Sequence, residues 1–183
     1  MKKVAIHLAT GFEEVEAISI IDVLRRAGLK VITVSMEDKR EVTGSHQIQV
    51  IADTLFSELD YHSIDALILP GGMPGAKNLD AHAGLKEQIL QFDRDKKLLG
   101  AICAAPLVFG HLDILKNKEV VCYPGHEQEL YGAKIQTTPV AQDGHIITSR
   151  GVGTALLFSL KLVELLVDKE KAQALGKAML VEM

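Results

Sequence analysis

Cysteine is the most nucleophilic side chain in this sequence, and it occurs twice, at Cys103 and Cys122. Only Cys103 stands in a segment that would expose it. The run Leu98-Leu99-Gly100-Ala101-Ile102 reads as an apolar strand, Cys103 follows at once, and Ala104-Ala105-Pro106 opens a helix. Proline suits a helix's first turn. Small residues two before and two after the cysteine, Ala101 and Ala105, let the chain turn sharply from strand to helix. Glycines meet the same requirement where a nucleophilic serine sits on such a turn. The turn would project the thiol beyond the C-terminal edge of a sheet, where open α/β folds bind ligands. A helix N-terminus there would favour the thiolate and lower the thiol pKa. The competing reading of Cys103 is a buried, inert cysteine, common in apolar surroundings.

Carboxylates come next. At roughly 100° per residue, Ala17, Ile20, Ile21, Val23 and Leu24 share one face of a helix. Glu14, Ser19, Asp22, Arg25 and Arg26 share the polar one. Glu13 falls between Ile20 and Leu24, and Glu16 between Ile20 and Val23, so both turn inward. An inward carboxylate is costly unless it is partnered or protonated. Complementing the helix dipole accounts for Glu13 better than for Glu16. A third signal is Pro70-Gly71-Gly72-Met73-Pro74-Gly75 after a strand. It is either a tight turn or a set of backbone N–H groups aimed at an anion, an oxyanion hole beside Cys103. It lacks both the phosphate-loop and the dinucleotide spacing. The histidines, at positions 7, 46, 62, 82, 111, 126 and 145, show no ligand spacing, so no metal is expected. His126, in Tyr123-Pro124-Gly125-His126, is either a solvated loop histidine or one that reaches the site.

These residues need elements to hold them. Strands are expected at Lys3 to Leu8, Val31 to Met36, Asp65 to Leu69, Leu98 to Ile102, Glu119 to Cys122 and Ala141 to Thr148, the last with a turn at Asp143-Gly144. Helices are expected at Glu13 to Ala27, capped by Gly28, and at Leu85 to Phe92, Thr154 to Val167 and Lys169 to Leu180. Glu41 to Ile51 reads as a hairpin outside the main sheet. This alternation implies one α/β domain over residues 1–183, a parallel sheet covered on both faces. With 48% hydrophobic and 24% charged residues and a net charge of −4, the chain has the profile of a soluble globule. It has no basic stripe for nucleic acid and no apolar run of membrane-spanning length. No export signal is read at Met1-Lys2-Lys3, and two unpaired-looking cysteines fit a reducing, cytoplasmic compartment.

Several segments, in order, resemble the ThiJ/PfpI superfamily, in the branch of the parkinsonism-associated protein deglycases. They are Gly11-Phe12-Glu13-Glu14-Val15-Glu16, Asp22-Val23-Leu24-Arg25-Arg26-Ala27-Gly28, Leu69-Pro70-Gly71-Gly72, Gly75-Ala76-Lys77-Asn78-Leu79, Ala101-Ile102-Cys103-Ala104-Ala105-Pro106 and Thr148-Ser149-Arg150-Gly151-Val152-Gly153-Thr154. The resemblance implies a flavodoxin-like doubly wound sheet and a homodimer. It implies Cys103 as nucleophile, Glu16 as the carboxylic acid hydrogen-bonded to it, and the N–H groups of Gly72 and Ala104 as oxyanion hole. Three positions depart from the pattern. Tyr123-Pro124 stands where many relatives have His-Pro, His46 aligns with an arginine that some relatives lend to a partner's site, and Val152 replaces a proline. Ala104 follows the cysteine where the peptidase branch has histidine, which disfavours proteolysis. Glu13, Tyr123 and His126 are auxiliary candidates. Two functions are compatible with such a thiol. One is a cofactor-independent glyoxalase or deglycase acting on small reactive carbonyls such as methylglyoxal. The other is a redox sensor or chaperone working through oxidation of Cys103.

Overall fold

The structure, a computed structural model, describes residues 1–182. Its centre is a seven-stranded sheet in the order β10 (Val140–Asp143), β11 (Ile146–Ser149), β7 (Leu98–Ile102), β6 (Ala66–Leu69), β1 (Lys3–Leu8), β2 (Lys30–Ser35) and β5 (Thr54–Leu55). All neighbours run parallel except β10, which turns back antiparallel on β11 through Asp143 and Gly144. The inner five strands have the doubly wound order of a flavodoxin-like fold. Strands buried on both faces read as continuous apolar runs, and Ala66–Leu69 is buried throughout.

Side chains alternate across the sheet. Ile6, Ile68 and Ile102 pack on one face with Ile20 and Leu24 of α1 (Glu14–Arg26) and Phe158 and Leu162 of α5 (Ala155–Leu166), while α6 (Lys169–Ala178) lies against α5. Leu67, Leu69, Leu99 and Ala101 meet the other face, covered by α2 (Gly75–Ala81), α3 (Ala83–Arg94) and α4 (Pro106–His111), with Leu79, Ile89 and Phe109 among the contacts. Each fully buried Leu, Ile or Phe contributes about 1.5–3 kcal/mol of transfer free energy. Gly100 lets α5 come close: a Cβ there would lie 2.7 Å from Ile68 Cδ1 and 3.1 Å from Phe158.

The expected elements are present, β1 and β7 with the expected ends and most of the others with shifted ones, and three differences stand out. The sheet is not wholly parallel, because β10 and β11 form a hairpin whose tight turn permits only antiparallel pairing. The strand expected from Glu119 to Cys122 shortens to β8 (Glu119–Val120), which pairs with β9 (Lys134–Ile135) outside the main sheet. The elements α2, β5 and β9 are additional, and all three are short. The hairpin expected outside the sheet is there, as β3 (Glu41–Thr43) and β4 (Gln49–Ile51). Because β1, β6, β7 and β11 are parallel, the segments after them, near residues 9–13, 70–74, 103–105 and 150–154, gather at one edge. No helix among the described residues is long and apolar enough to cross a membrane.

Candidate functional site

Cys103 sits at that edge with φ +63°. A non-glycine residue in this left-handed region costs about 1–2 kcal/mol, so the surroundings must impose it. The Cys103 N–H donates to Ser149 O at 2.9 Å, and its carbonyl accepts the Tyr123 N–H at 2.8 Å. These bonds hold the turn between the ends of β11 and the 121–125 segment. The left-handed turn breaks the strand's alternation and leaves Cys103 on the α1 side of the sheet, the same side as Ile102, whereas Cys122 lies in the opposite core. Cys103 is partly exposed and Cys122 is buried; both are free.

Glu16 meets the thiol from α1. It is fully buried, as the helix wheel predicted. Its Oε2 accepts the Gly71 N–H at 2.8 Å, while Oε1 has no hydrogen-bond partner. Burial pushes the Glu16 carboxyl up to about 7, against the pull of the Gly71 N–H and the Cys103 thiol; the nearby Glu13 charge adds to the rise. The thiol moves the same way. Burial, then the charge and hydrogen bonding of Glu16, push Cys103 up to about 12, while N–H groups of Gly72 and Ala104 bonded to the sulfur oppose the rise. This differs from the expected lowered pKa. The helix α4 begins only at Pro106, so its N-terminus does not govern the sulfur. Burial and a neighbouring carboxylate do. The backbone N–H groups of Gly72 and Ala104 lie close enough to the sulfur to favour its ionised form.

The glycine loop is held by the start of α1. Gly71 O accepts the Glu13 N–H at 2.8 Å, and Gly75 N–H donates to Gly11 O at 3.1 Å. Gly72 has φ +93°, and a Cβ there would run into the backbone of residues 11–13. Glu13 is the N-cap of α1: its Oε2 accepts the Glu16 N–H at 2.7 Å. Its expected inward position is present, and its direct work is capping.

Glu14 was placed on the polar face, yet it is buried. The turn between β3 and β4 covers it: the His46 N–H and Nδ1 lie 2.6 and 2.8 Å from its oxygens, and the Ser45 hydroxyl at 3.2 Å. Burial opposes ionisation, but these bonds hold the Glu14 carboxyl down at about 2. His46 thus pairs with Glu14 of its own chain. Ligand atoms of Glu13, Glu14 and His46 lie within 4.8 Å of one another, a proximity hidden by a separation of over thirty residues.

Of the auxiliary candidates, Tyr123 is near the pair: a Cβ on Gly151 would lie 3.2 Å from the Tyr123 ring and 3.9 Å from Glu16 Oε1. His126 stacks edge-on to Tyr123, centroids 6.5 Å apart, and lines a separate cleft with Met73, Lys77 and Leu107. It makes no hydrogen bond to Cys103 or Glu16.

Known proteins share this fold. The chain is 43% identical over 173 residues to Protein DJ-1 homolog B of Arabidopsis thaliana, covering 93% of this chain and 40% of that one. It is 35% identical over 182 residues to Protein dj-1beta of Drosophila melanogaster, covering 98% and 97%. The solved structure of oxidized Toxoplasma gondii DJ-1 superposes with a TM-score of 0.96 at 35% identity, covering all of both chains. The chain spans less than half the length of the Arabidopsis relatives, 40% and 47% of homologs B and A. The model described as the DJ-1/PfpI family matches residues 2–165, and the chain belongs to that family.

Proposed function

We propose that this chain is a cofactor-independent glyoxalase or deglycase, with Cys103 as nucleophile and Glu16 as the group that carries its proton. The reading extends to methylglyoxal, glyoxal and their protein adducts, in protection against carbonyl stress. The observation that carries it is the pairing of the partly exposed Cys103 with the buried Glu16, in which each group shifts the other's protonation. Between about pH 7 and about pH 12 the pair holds one proton. Resting on sulfur, that proton keeps the thiol unreactive toward water-borne electrophiles; transferred to Glu16, it frees the thiolate at the moment of attack.

The steps balance without oxidant or cofactor. The sulfur forms a bond to the aldehyde carbon, and the carbonyl electron pair moves to oxygen. The N–H groups of Gly72 and Ala104, which act on the resting sulfur's titration, serve as donors for that oxygen. Glu16 returns the proton, giving a hemithioacetal. The ionised carboxylate then takes the proton from the former aldehyde carbon and delivers it to the neighbouring one, while the hydroxyl proton passes to the neighbouring carbonyl oxygen, giving the thioester of a 2-hydroxy acid. Water cleaves the thioester, releasing a 2-hydroxy acid and restoring the thiol. The net change for methylglyoxal is addition of one water to give lactate.

The second reading, a redox sensor, has its own support. The partly exposed sulfur already faces two N–H donors that suit a sulfinate, and the Toxoplasma relative is described as oxidized. Lactate production by purified protein, with Cys103→Ser as control, separates the two. Turnover above the Cys103→Ser background favours the enzyme; its absence leaves the sensor as the better account.

A further inference from the structure

A cleft of about 370 Å³ is lined by Tyr123, Pro124, Arg150, Gly151, Val152 and Thr154, and its Gly151 stands between the cleft and Glu16. Three observations concern what it takes. Behind Gly151 is an unsatisfied acceptor: Glu16 Oε1 is buried without a hydrogen-bond partner and lies 3.9 Å from where a Gly151 Cβ would be. At its rim is an unsatisfied cation. Of the five arginines, Arg25, Arg26 and Arg40 form ion pairs and Arg94 bonds Gln91. The Arg150 guanidinium has no ion pair or side-chain hydrogen bond among the described residues, although its charge acts on the Glu127 carboxyl and Arg150 follows Ser149, the residue that accepts the Cys103 N–H. Between them lie apolar walls, Tyr123, Pro124 and Val152. The N–H groups of Val152 and Gly153, in the first turn before α5, donate to no protein group among the described residues. At Val152 that donor exists only because valine stands where the family motif has proline.

The geometry points to Arg150 as a specificity-determining residue that holds a carboxylate at one end of the substrate while the other end reacts at Cys103. The favoured substrate is then a 2-oxoaldehyde with a short carbon chain ending in a carboxylate. Methylglyoxal fills little of the cleft and leaves Arg150 unpaired. An Arg–carboxylate contact is charge-assisted and bidentate-capable, which a neutral substrate cannot match. This inference rests on the carbonyl reading of the site, and the steps are those given above: 4,5-dioxopentanoate plus water gives 2-hydroxyglutarate.

The test has two arms on the full chain. In the first, kcat/KM is measured for 4,5-dioxopentanoate and methylglyoxal in the parent protein, Arg150→Gln and Arg150→Lys. The expected result is a preference for the anionic substrate. It falls by about tenfold or more in Arg150→Gln, chiefly through KM, as loss of a charged hydrogen bond implies. Arg150→Lys should restore part of it, with methylglyoxal turnover little changed. In the second arm, 2-hydroxyglutarate slows alkylation of Cys103 by iodoacetamide, and Arg150→Gln requires about tenfold or more higher concentrations for the same protection. Protection that is absent, or equal in Arg150→Gln, overturns the proposal, as does an equal loss on both substrates. If protection behaves as expected while neither substrate is turned over, the anion cleft stands and the carbonyl reading falls.

Discussion

The Gly71 N–H donates to Glu16 Oε2 at 2.8 Å, and this bond ties the loop after β6 to α1 directly beside the sulfur. Glycine is needed there for space: a Cβ would lie 2.5 Å from the Cys103 Cβ, 2.8 Å from Glu16 Oε2 and 2.9 Å from Ile102 O. None of these neighbours is the free end of a flexible side chain. Gly71→Ala should therefore cost about 1–3 kcal/mol of stability, the range for overpacking, and should displace Glu16 from Cys103. Thermal melting together with the alkylation rate of Cys103 measures both. An unchanged melting temperature with an unchanged rate would contradict the packing described.

Glu16→Gln separates ionisation of the thiol from proton transfer. The ionised carboxylate is one of the groups holding the Cys103 thiol up, after burial itself. An amide of the same shape removes that charge and, unlike the carboxylate, can donate a hydrogen bond to sulfur. The thiol should then ionise at lower pH than in the parent protein. Turnover should nonetheless fall on the order of a hundredfold, the usual loss for a positioned acid–base group, because an amide cannot carry the proton. Thiolate absorbance against pH and methylglyoxal kinetics give the two results. A thiol that becomes harder to ionise in Glu16→Gln would reverse the electrostatic account.

How far the site could be read in advance depended on how local its causes are. The strand into Cys103 and the small residues around it are local, so β7 matched its expected ends. The inward position of Glu16 follows from helix periodicity, which is also local. The burial of Glu14 is not, because it depends on a hairpin turn some thirty residues away. The thiol's raised pKa was missed for a related reason. The sequence shows a helix start near Cys103, but only the packed structure shows a buried carboxylate arriving from α1. Arg150 sits in a quoted motif, yet its lack of an ion-pair partner is a property of the folded surface. The short elements β5, β9 and α2 carry too few residues for a periodic pattern to form.

The family resemblance implies a homodimer, and we propose that α1 carries its interface. Val15 and Ile18 on α1 and Ile48 on the neighbouring hairpin are 52%, 45% and 57% exposed. Clustered exposed apolar side chains commonly mark interaction sites. Sedimentation equilibrium should give about twice the 19.9 kDa chain mass, and Ile18→Asp should shift the protein to monomer with its secondary structure intact. A parent protein that sediments as monomer at micromolar concentration would remove the dimer.

His7 and Glu16 make opposite contributions to stability against pH. His7 is fully buried, with Nε2 2.8 Å from the Tyr61 hydroxyl, and burial lowers its pKa from 6.5 to about 3. Below pH 6.5 the unfolded chain binds a proton there that the folded chain refuses. Stability is therefore lost as the pH falls from 6.5 toward 3. Glu16 behaves the other way. Its folded pKa of about 7 lies above the ordinary 4.5, so the folded chain keeps a proton that the unfolded chain has released. That contribution is fully present below pH 4.5 and is lost as the pH rises through 7. Between pH 4.5 and 6.5 the two slopes oppose one another, each reaching about 1.4 kcal/mol per pH unit at most. Glu16→Gln leaves the His7 slope alone, so its stability should fall more steeply on acidification than that of the parent. His7→Phe leaves the Glu16 slope alone, so its stability should fall less steeply or rise, on top of a uniform loss from the Tyr61 contact. All other titrating groups act equally in the three proteins and cancel in the comparison. Urea midpoints across this window, at constant ionic strength, measure the slopes, and three parallel curves would show that neither group titrates as its burial requires.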